Sequence, residues 1–339
     1  MDENSIIEIQ DLGFQWNTDN PFLFCVHHKD AYPKGNGKMG PDAPLDGRRI
    51  GNDFILKDGW RMYHGQRIPG FPQHPHRGFE TVTIVLEGIV DHADSLGAAG
   101  RYGHGDVQWM TAGAGIQHCE MFPLLHDDRE NPLELFQIWL NLPSKDKFVE
   151  PHYKMLWGED IPKSDSRDET GKLTEVTIIA GSLDGLNPPS PPPDSWAASP
   201  DNNVAIWLIK MEAGAKWVLP PASNDVLRSL YFHKGSTLLV SGQSIESSKS
   251  IGVKPGNEIL LENGDEESHI LLLQGKPIDE RAVQYGPFVM NSEEEIQQAF
   301  EDYRRTQFGG WPWPSADYAH DSGKGRFAKY ADGKEENKN

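Results

Sequence analysis

Two pairs of metal-ligand side chains spaced two residues apart, His74-Pro75-His76 and His118-Cys119-Glu120, constrain this chain more than any other feature. Successive side chains on a strand point to opposite faces, so His74 and His76 share a face, as do His118 and Glu120. Two such strands facing each other inside a barrel bring three imidazoles and one carboxylate to a single ion. That donor set suits a first-row transition metal.

The rest of the chain carries strand and turn signals. Ile6-Ile7-Glu8-Ile9 and Phe22-Leu23-Phe24-Cys25-Val26 are short apolar runs separated by turn residues from Asn17 to Pro21, and a polar, glycine-rich loop follows from Pro33 to Gly51. Thr81-Val82-Thr83-Ile84-Val85-Leu86 is β-branched, Glu87-Gly88 turns the chain, and Ile89 to Ala93 returns. Gly105-Asp106 precedes Val107-Gln108-Trp109-Met110, and Gly113 to Gly115 lead into the second ligand pair. This is a series of hairpins, and 25 Pro and 34 Gly fit it. Leu230-Tyr231-Phe232-His233-Lys234-Gly235 and Pro255-Gly256-Asn257-Glu258-Ile259 repeat the earlier turn landmarks, so a duplicated β-barrel is expected. Before this repeat, the prolines from Pro188 to Pro200 read as an extended connector. Ser292 and Glu295 form a capping pattern that predicts a helix from about Glu293 to Thr306, stopped by Gly309 and Gly310. Residues 324–339 read as a polar, disordered end.

Composition narrows the function class. A net charge of -19 argues against direct nucleic-acid or anionic-membrane binding, which needs clustered Lys and Arg. Cys25 and Cys119 make no disulfide framework, no apolar run reaches a membrane span, and Met1-Asp2-Glu3-Asn4 lacks the pattern of a signal peptide. A cytoplasmic, reducing location is the expectation, with the nucleus open to a eukaryotic protein.

The stretch His74-Pro75-His76-Arg77-Gly78-Phe79-Glu80-Thr81, then Leu86-Glu87-Gly88, Gly105 to Gly113, Gly115-Ile116-Gln117-His118 and Gln284 to Asn291, closely resembles the pirin family. The resemblance implies an all-β bicupin, two antiparallel jelly-roll barrels with a short C-terminal helix. The expected domains are an N-terminal cupin barrel with the metal site over 1–150, an acidic and proline-rich connector over 151–202, a metal-free C-terminal cupin barrel with the closing helix over 203–310, and a polar tail over 311–339. It also implies iron bound at positions matching His74, His76, His118 and Glu120. His104 and Cys119 depart from the family pattern, where proline and serine are usual, without removing a ligand.

The donor set itself agrees. Three neutral imidazoles and a carboxylate leave open positions on a six-coordinate ion, which suits one Fe(II) per chain and also accommodates Mn, Co, Ni, Cu or Zn. The resemblance implies quercetin 2,3-dioxygenase activity, the opening of a flavonol by O2; a mechanism consistent with the donor set has the flavonol 3-oxygen deprotonated, with Glu120 moving from ligand to general base. Phe79, Trp109 and Met110 are candidates for the pocket wall, although plain core packing is the ordinary role of Trp109 and Met110. The alternative is an iron-dependent, redox-sensing interaction protein that meets a regulatory partner, as the animal members of the family suggest. Cys119, between two ligands, is expected to turn its sulfur away from the ion, and His27, His28, His92, His104 and His126 lack ligand-like partners. His233 and His269 stand alone in the second barrel, so no second metal is expected there. A bicupin can stand as a monomer.

Overall fold

The computed structural model describes residues 5–338. Met1 to Asn4, which bear on the expected absence of a leader, and Asn339, the last residue of the expected tail, lie outside them.

The chain folds as two all-β units of cupin type, with one α-helix near the C-terminus. One unit comprises the chain up to Val26, Trp139–Asn141 and Glu159–Asp279; the other comprises His27–Ile138, Leu142–Gly158 and the chain from Glu280 onward. In the first, Ile6–Asp11, Lys249–Val253, Leu227–Lys234, Ser268–Gly275, Ala205–Met211, Leu173–Ala180 and Lys163–Arg167 form, in that order, a seven-stranded sheet. A four-stranded sheet faces it. Val176, Ile178, Trp207, Ile209, Leu230 and Phe232 from the first sheet pack with Trp217, Leu219, Leu238, Val240 and Leu261 from the second. Along Leu173–Ala180, Lys216–Leu219, Thr237–Val240 and Ile259–Asn263 these side chains mostly alternate with exposed or half-exposed neighbours, the pattern of a sheet with one face in the core, whereas Leu227–Lys234 is buried on both faces from Arg228 to Phe232. Each large one stabilises the fold by roughly 1.5–3 kcal/mol.

The other unit holds both ligand pairs. Its first sheet runs Glu335–Lys338, Arg326–Lys329, Ala99–Gly103, Ile89–Asp94, Ile116–Met121, Gly70–His76. Its second contains His152–Leu156, Val107–Thr111, Phe79–Glu87 and Asn131–Asn141. Val90 and Tyr102 of the first sheet pack with Val85, Leu133, Leu135 and Tyr153 of the second.

The packing departs from the expected boundaries in three places. Residues 151–202 are not a linker: His152–Leu156 pairs with Val107–Thr111, and Leu173–Ala180 pairs with Ala205–Met211. The acidic composition concealed Thr174, Val176 and Ile178, which alternate into the core. The closing helix packs within the unit that holds His74 and His118. It spans Glu293–Thr306 as its cap predicts, with Ser292 Oγ accepting from the Glu295 N–H at 3.2 Å. Its Ile296 and Ala299 pack with Phe288, Met290 and Phe308. The polar tail is also structured, for Arg326–Lys329 adds to Ala99–Gly103 as a sheet strand.

The tail is held by a buried ion pair. Arg101 Nε and Nη2 donate to the two Asp91 carboxylate oxygens at 2.7 Å each. Its remaining N–H groups donate to the carbonyls of His320 at 3.1 Å, Asp321 at 2.8 Å and Lys324 at 2.7 Å. All five donors of the guanidinium are therefore used, which is how a fully buried Arg becomes tolerable. Trp311, Trp313 and Tyr318 then cover Ala93, Cys119 and Met121 on the outer face of the sheet.

Candidate metal centre

The two ligand pairs meet through strand register. Gly70–His76 and Ile116–Met121 are antiparallel neighbours with His74 opposite His118, and an irregularity between Phe71 and His74 brings Phe71 opposite Glu120. His74, His76 and His118 each place one ring nitrogen within 4.8 Å of the others. His76 and His118 are buried and His74 is half-buried.

Each imidazole is oriented differently. His74 Nδ1 lies 2.9 Å from the Pro72 carbonyl and His76 Nδ1 lies 3.4 Å from the Pro287 carbonyl. Those carbonyls accept an N–H, fixing the tautomer that leaves Nε2 with its lone pair. His118 differs: neither ring nitrogen has a hydrogen-bond partner among the described residues, although the side chain is completely buried. A buried imidazole with two orphaned nitrogens is costly unless something binds it. That observation, together with three converging nitrogens, fits a metal ion.

Burial also sets protonation. It lowers His74 to about 4 and pushes His76 and His118 well below the ordinary histidine range, so all three offer lone pairs at neutral pH. Glu120 Oε2 stands 3.9 Å from His118 Nε2. Its Oε1 accepts from Thr83 Oγ1 at 3.0 Å and its Oε2 from Gln137 Nε2 at 2.7 Å. Burial raises the Glu120 carboxyl above its usual range, against the pull of His92 and these two hydrogen bonds.

The turn behind His76 is rigid. Gly78 has φ of +83°, and a Cβ there would come 2.1 Å from the Val289 carbonyl oxygen, so only glycine fits. Arg77 Nε donates to the Ala114 carbonyl at 2.6 Å, and its Nη1 donates to Asp302 of the helix at 2.9 Å. Arg77 is therefore a strut, its structural reading.

Phe79 stands edge-on to His76 with ring centroids 5.1 Å apart, and Met110 packs with Ala112 and Ile116, the latter opposite His76. Phe79 adjoins a histidine directly, and Met110 reaches the cluster through Ile116. Trp109 does not: it alternates to the other face of its strand and donates its indole N–H to Glu80 Oε1 at 3.2 Å, which corrects its place in the pocket wall. Cys119 is buried on the outer face with its thiol pushed up by burial, and Sγ donates to the Tyr318 carbonyl at 3.5 Å. The thiolate needed for redox chemistry is disfavoured there.

Three supporting residues were not recognised from sequence, where His92 reads as a histidine without a ligand-like partner. Thr83 and Gln137 hold Glu120, whereas His92 lies with its ring 5.4 Å from His118 and stacked 4.9 Å from Tyr153. The available signal was phase. Thr83 and His92 are polar residues at core-facing positions of their strands, and His92 sits directly opposite Glu120. A cavity of about 730 Å³ walled by Tyr32, Phe122, Leu124, Leu133 and Arg129 also opens in this unit, but none of the three histidines lines it.

Comparison with known proteins agrees with the geometry. The pirin family model matches residues 19–140, and the model of the pirin C-terminal cupin domain matches residues 206–309. A Pseudomonas aeruginosa protein named "Putative quercetin 2,3-dioxygenase" is 40% identical over 248 residues, 70% of this chain and 79% of its own length. Human pirin is 37% identical over 262 residues, 76% of this chain and 82% of its own. The crystal structure of a quercetin 2,3-dioxygenase from Acinetobacter baumannii matches with a TM-score of 0.69 at 26% identity, covering 90% of this chain and 98% of that one. Matches to both barrels, and relatives this similar over most of their own length, establish that the chain belongs to the pirin family.

Proposed function

We propose that this chain is a metal-dependent dioxygenase of the quercetin 2,3-dioxygenase type, opening a flavonol with O2 at one Fe(II) held by His74, His76, His118 and Glu120. The observation that carries the metal is the orphaned, fully buried His118 beside two imidazoles whose outer nitrogens are already engaged. The names of the relatives support the substrate class. When bound, iron supplies Lewis acidity and the one-electron chemistry that O2 requires.

The chain's own residues do the rest. The neutral histidines present fixed lone pairs, which lowers the cost of organising the site. Glu120, raised by burial and tethered at both oxygens, is suited to take the flavonol 3-hydroxyl proton at Oε2. Phe79 and Met110 contribute apolar wall for a flat aromatic body.

Two measurements test this reading in sequence. Elemental analysis should find close to one equivalent of a transition metal in the native protein and about a tenth or less in His118→Ala. Oxygen uptake with quercetin on iron-loaded protein should then exceed that of a His118→Ala, Glu120→Ala variant; equal rates would end the dioxygenase assignment while leaving the metal site standing.

A further inference from the structure

The other unit contains a buried cation without a counter-ion. Arg228, on the strand Leu227–Lys234, is 3% exposed. Its Nε donates to Gln274 Oε1 at 2.7 Å and its Nη1 to the Pro220 carbonyl at 2.6 Å. Nη2 has no hydrogen-bond partner among the described residues, and no carboxylate pairs with the guanidinium. Burial alone lowers Arg228 to about 10, with no neighbouring charge offsetting it. Linking a strand to a loop needs only a neutral donor, so a desolvated charge is an expensive way to do it.

The guanidinium lines a cavity of about 590 Å³. Trp207 and Leu183 contribute apolar wall, and Pro188, Pro189 and Pro191 of the proline run cover it. Asn187 adds a polar group, while the Gln274 amide is spent on Arg228 and on the Asn203 carbonyl at 2.9 Å; Asp184, the acid among the lining residues, is exposed to solvent and accepts from Ser164 Oγ at 2.6 Å. Arg228 is the lone base on these walls, and a doubly charged anion such as phosphate would be left half-neutralised in a chain of net charge -19. One free guanidinium edge above apolar and proline walls matches a singly charged carboxylate with a flat apolar body.

We propose that this cavity, in the barrel without the histidine cluster, is a binding site for a small organic monocarboxylate seated on Arg228 Nη2. The volume lies within the range of small-molecule pockets, roughly 300–1,000 Å³. The site is separate from the metal centre and does not depend on the dioxygenase reading.

Calorimetric titration of the full chain with benzoate, and with benzamide as its uncharged twin at matched ionic strength, tests it. Benzoate should bind saturably at one site per chain, with benzamide at least about tenfold weaker, the loss of one charge-assisted contact. Arg228→Gln should remove that preference. Ala222→Phe, which adds bulk at the cavity wall and leaves Arg228's hydrogen bonds in place, should weaken benzoate even if Arg228→Gln does not fold. Benzoate binding should persist in His118→Ala, which separates this cavity from a carboxylate at the metal. Equal binding of benzoate and benzamide, undiminished binding in Ala222→Phe, or loss of binding in His118→Ala would each overturn the assignment.

Discussion

Replacing Arg101 by Met should release the C-terminal segment and uncover the back of the strand that carries His118 and Glu120. The substitution removes both hydrogen bonds to Asp91 and all three to the carbonyls of residues 320, 321 and 324. Asp91, completely buried, keeps only the His320 N–H at 2.8 Å. An unpaired buried charge costs roughly 3–5 kcal/mol, and the strain disappears once the segment lifts and water reaches Asp91. The carbonyls find water in the lifted state too, so their loss does not oppose opening. Taking about 4 kcal/mol as the change in opening free energy, the open population rises about 10³-fold at about 1.4 kcal/mol per decade. Cys119 reports this directly, because Trp311, Trp313 and Tyr318 cover it. Its labelling by a thiol reagent in native buffer should accelerate by two to three orders of magnitude, roughly following the open population. Cys25, buried in the other unit, should stay slow. Arg101→Lys keeps a charge but loses the two-pronged geometry, so it should fall between. A Cys119 rate within about tenfold of wild type in Arg101→Met would refute the idea that this pair anchors the segment.

Three further outcomes follow from the same unit. Burial pushes Glu134 up, but hydrogen bonds from His27 and Lys29 more than reverse this and bring it down to about 2. Its stabilisation is therefore complete above 4.5 and lost as pH falls from 4.5 towards 2, and Glu134→Gln should flatten that part of the acid unfolding curve. Burial pushes Lys147 down to about 8, so the unfolded chain binds more protons between 8 and 10.5; stability from this group rises with pH across that window, and a melting series in Lys147→Met should lose the rise. Thr83→Val with Gln137→Leu frees Glu120 at both oxygens, and metal retention against a chelator should weaken roughly 10–100-fold while circular dichroism stays unchanged.

The parts of this protein that sequence revealed are those governed by short-range rules. Alternation put His74 with His76 and His118 with Glu120, and a capping residue fixed the helix Glu293–Thr306. Trp109 shows the limit, because identity suggested a wall whereas the same alternation sends it away from Met110. Composition misplaced the boundaries, since Lys163–Arg167 contains no apolar residue and Arg326–Lys329 shows only Phe327 and Ala328 between two charged ends. A short, charged strand such as Lys163–Arg167, at the edge of its sheet, looks like a linker in sequence.

What supports the ligands is set by contacts remote in sequence. The carbonyl that orients His76 belongs to Pro287, 211 residues away, and the carboxylate that braces Arg77 belongs to Asp302, 225 residues away. No local pattern encodes such pairs, because their geometry exists only after the chain has closed. The consequence is physical: the tautomer of His76 depends on a hairpin and helix that fold against the ligand-bearing strands from the far end of the chain. Disrupting Phe288 or Phe308 should therefore loosen metal retention before it abolishes secondary structure. A variant such as Phe308→Ala, which removes a ring stacked 4.6 Å beneath the Arg77 guanidinium, should lose roughly 3–5 kcal/mol of packing and release metal at lower chelator concentration than wild type. Unchanged retention in that destabilised variant would mean that the three histidines hold their geometry without the C-terminal elements, and that their register alone is sufficient.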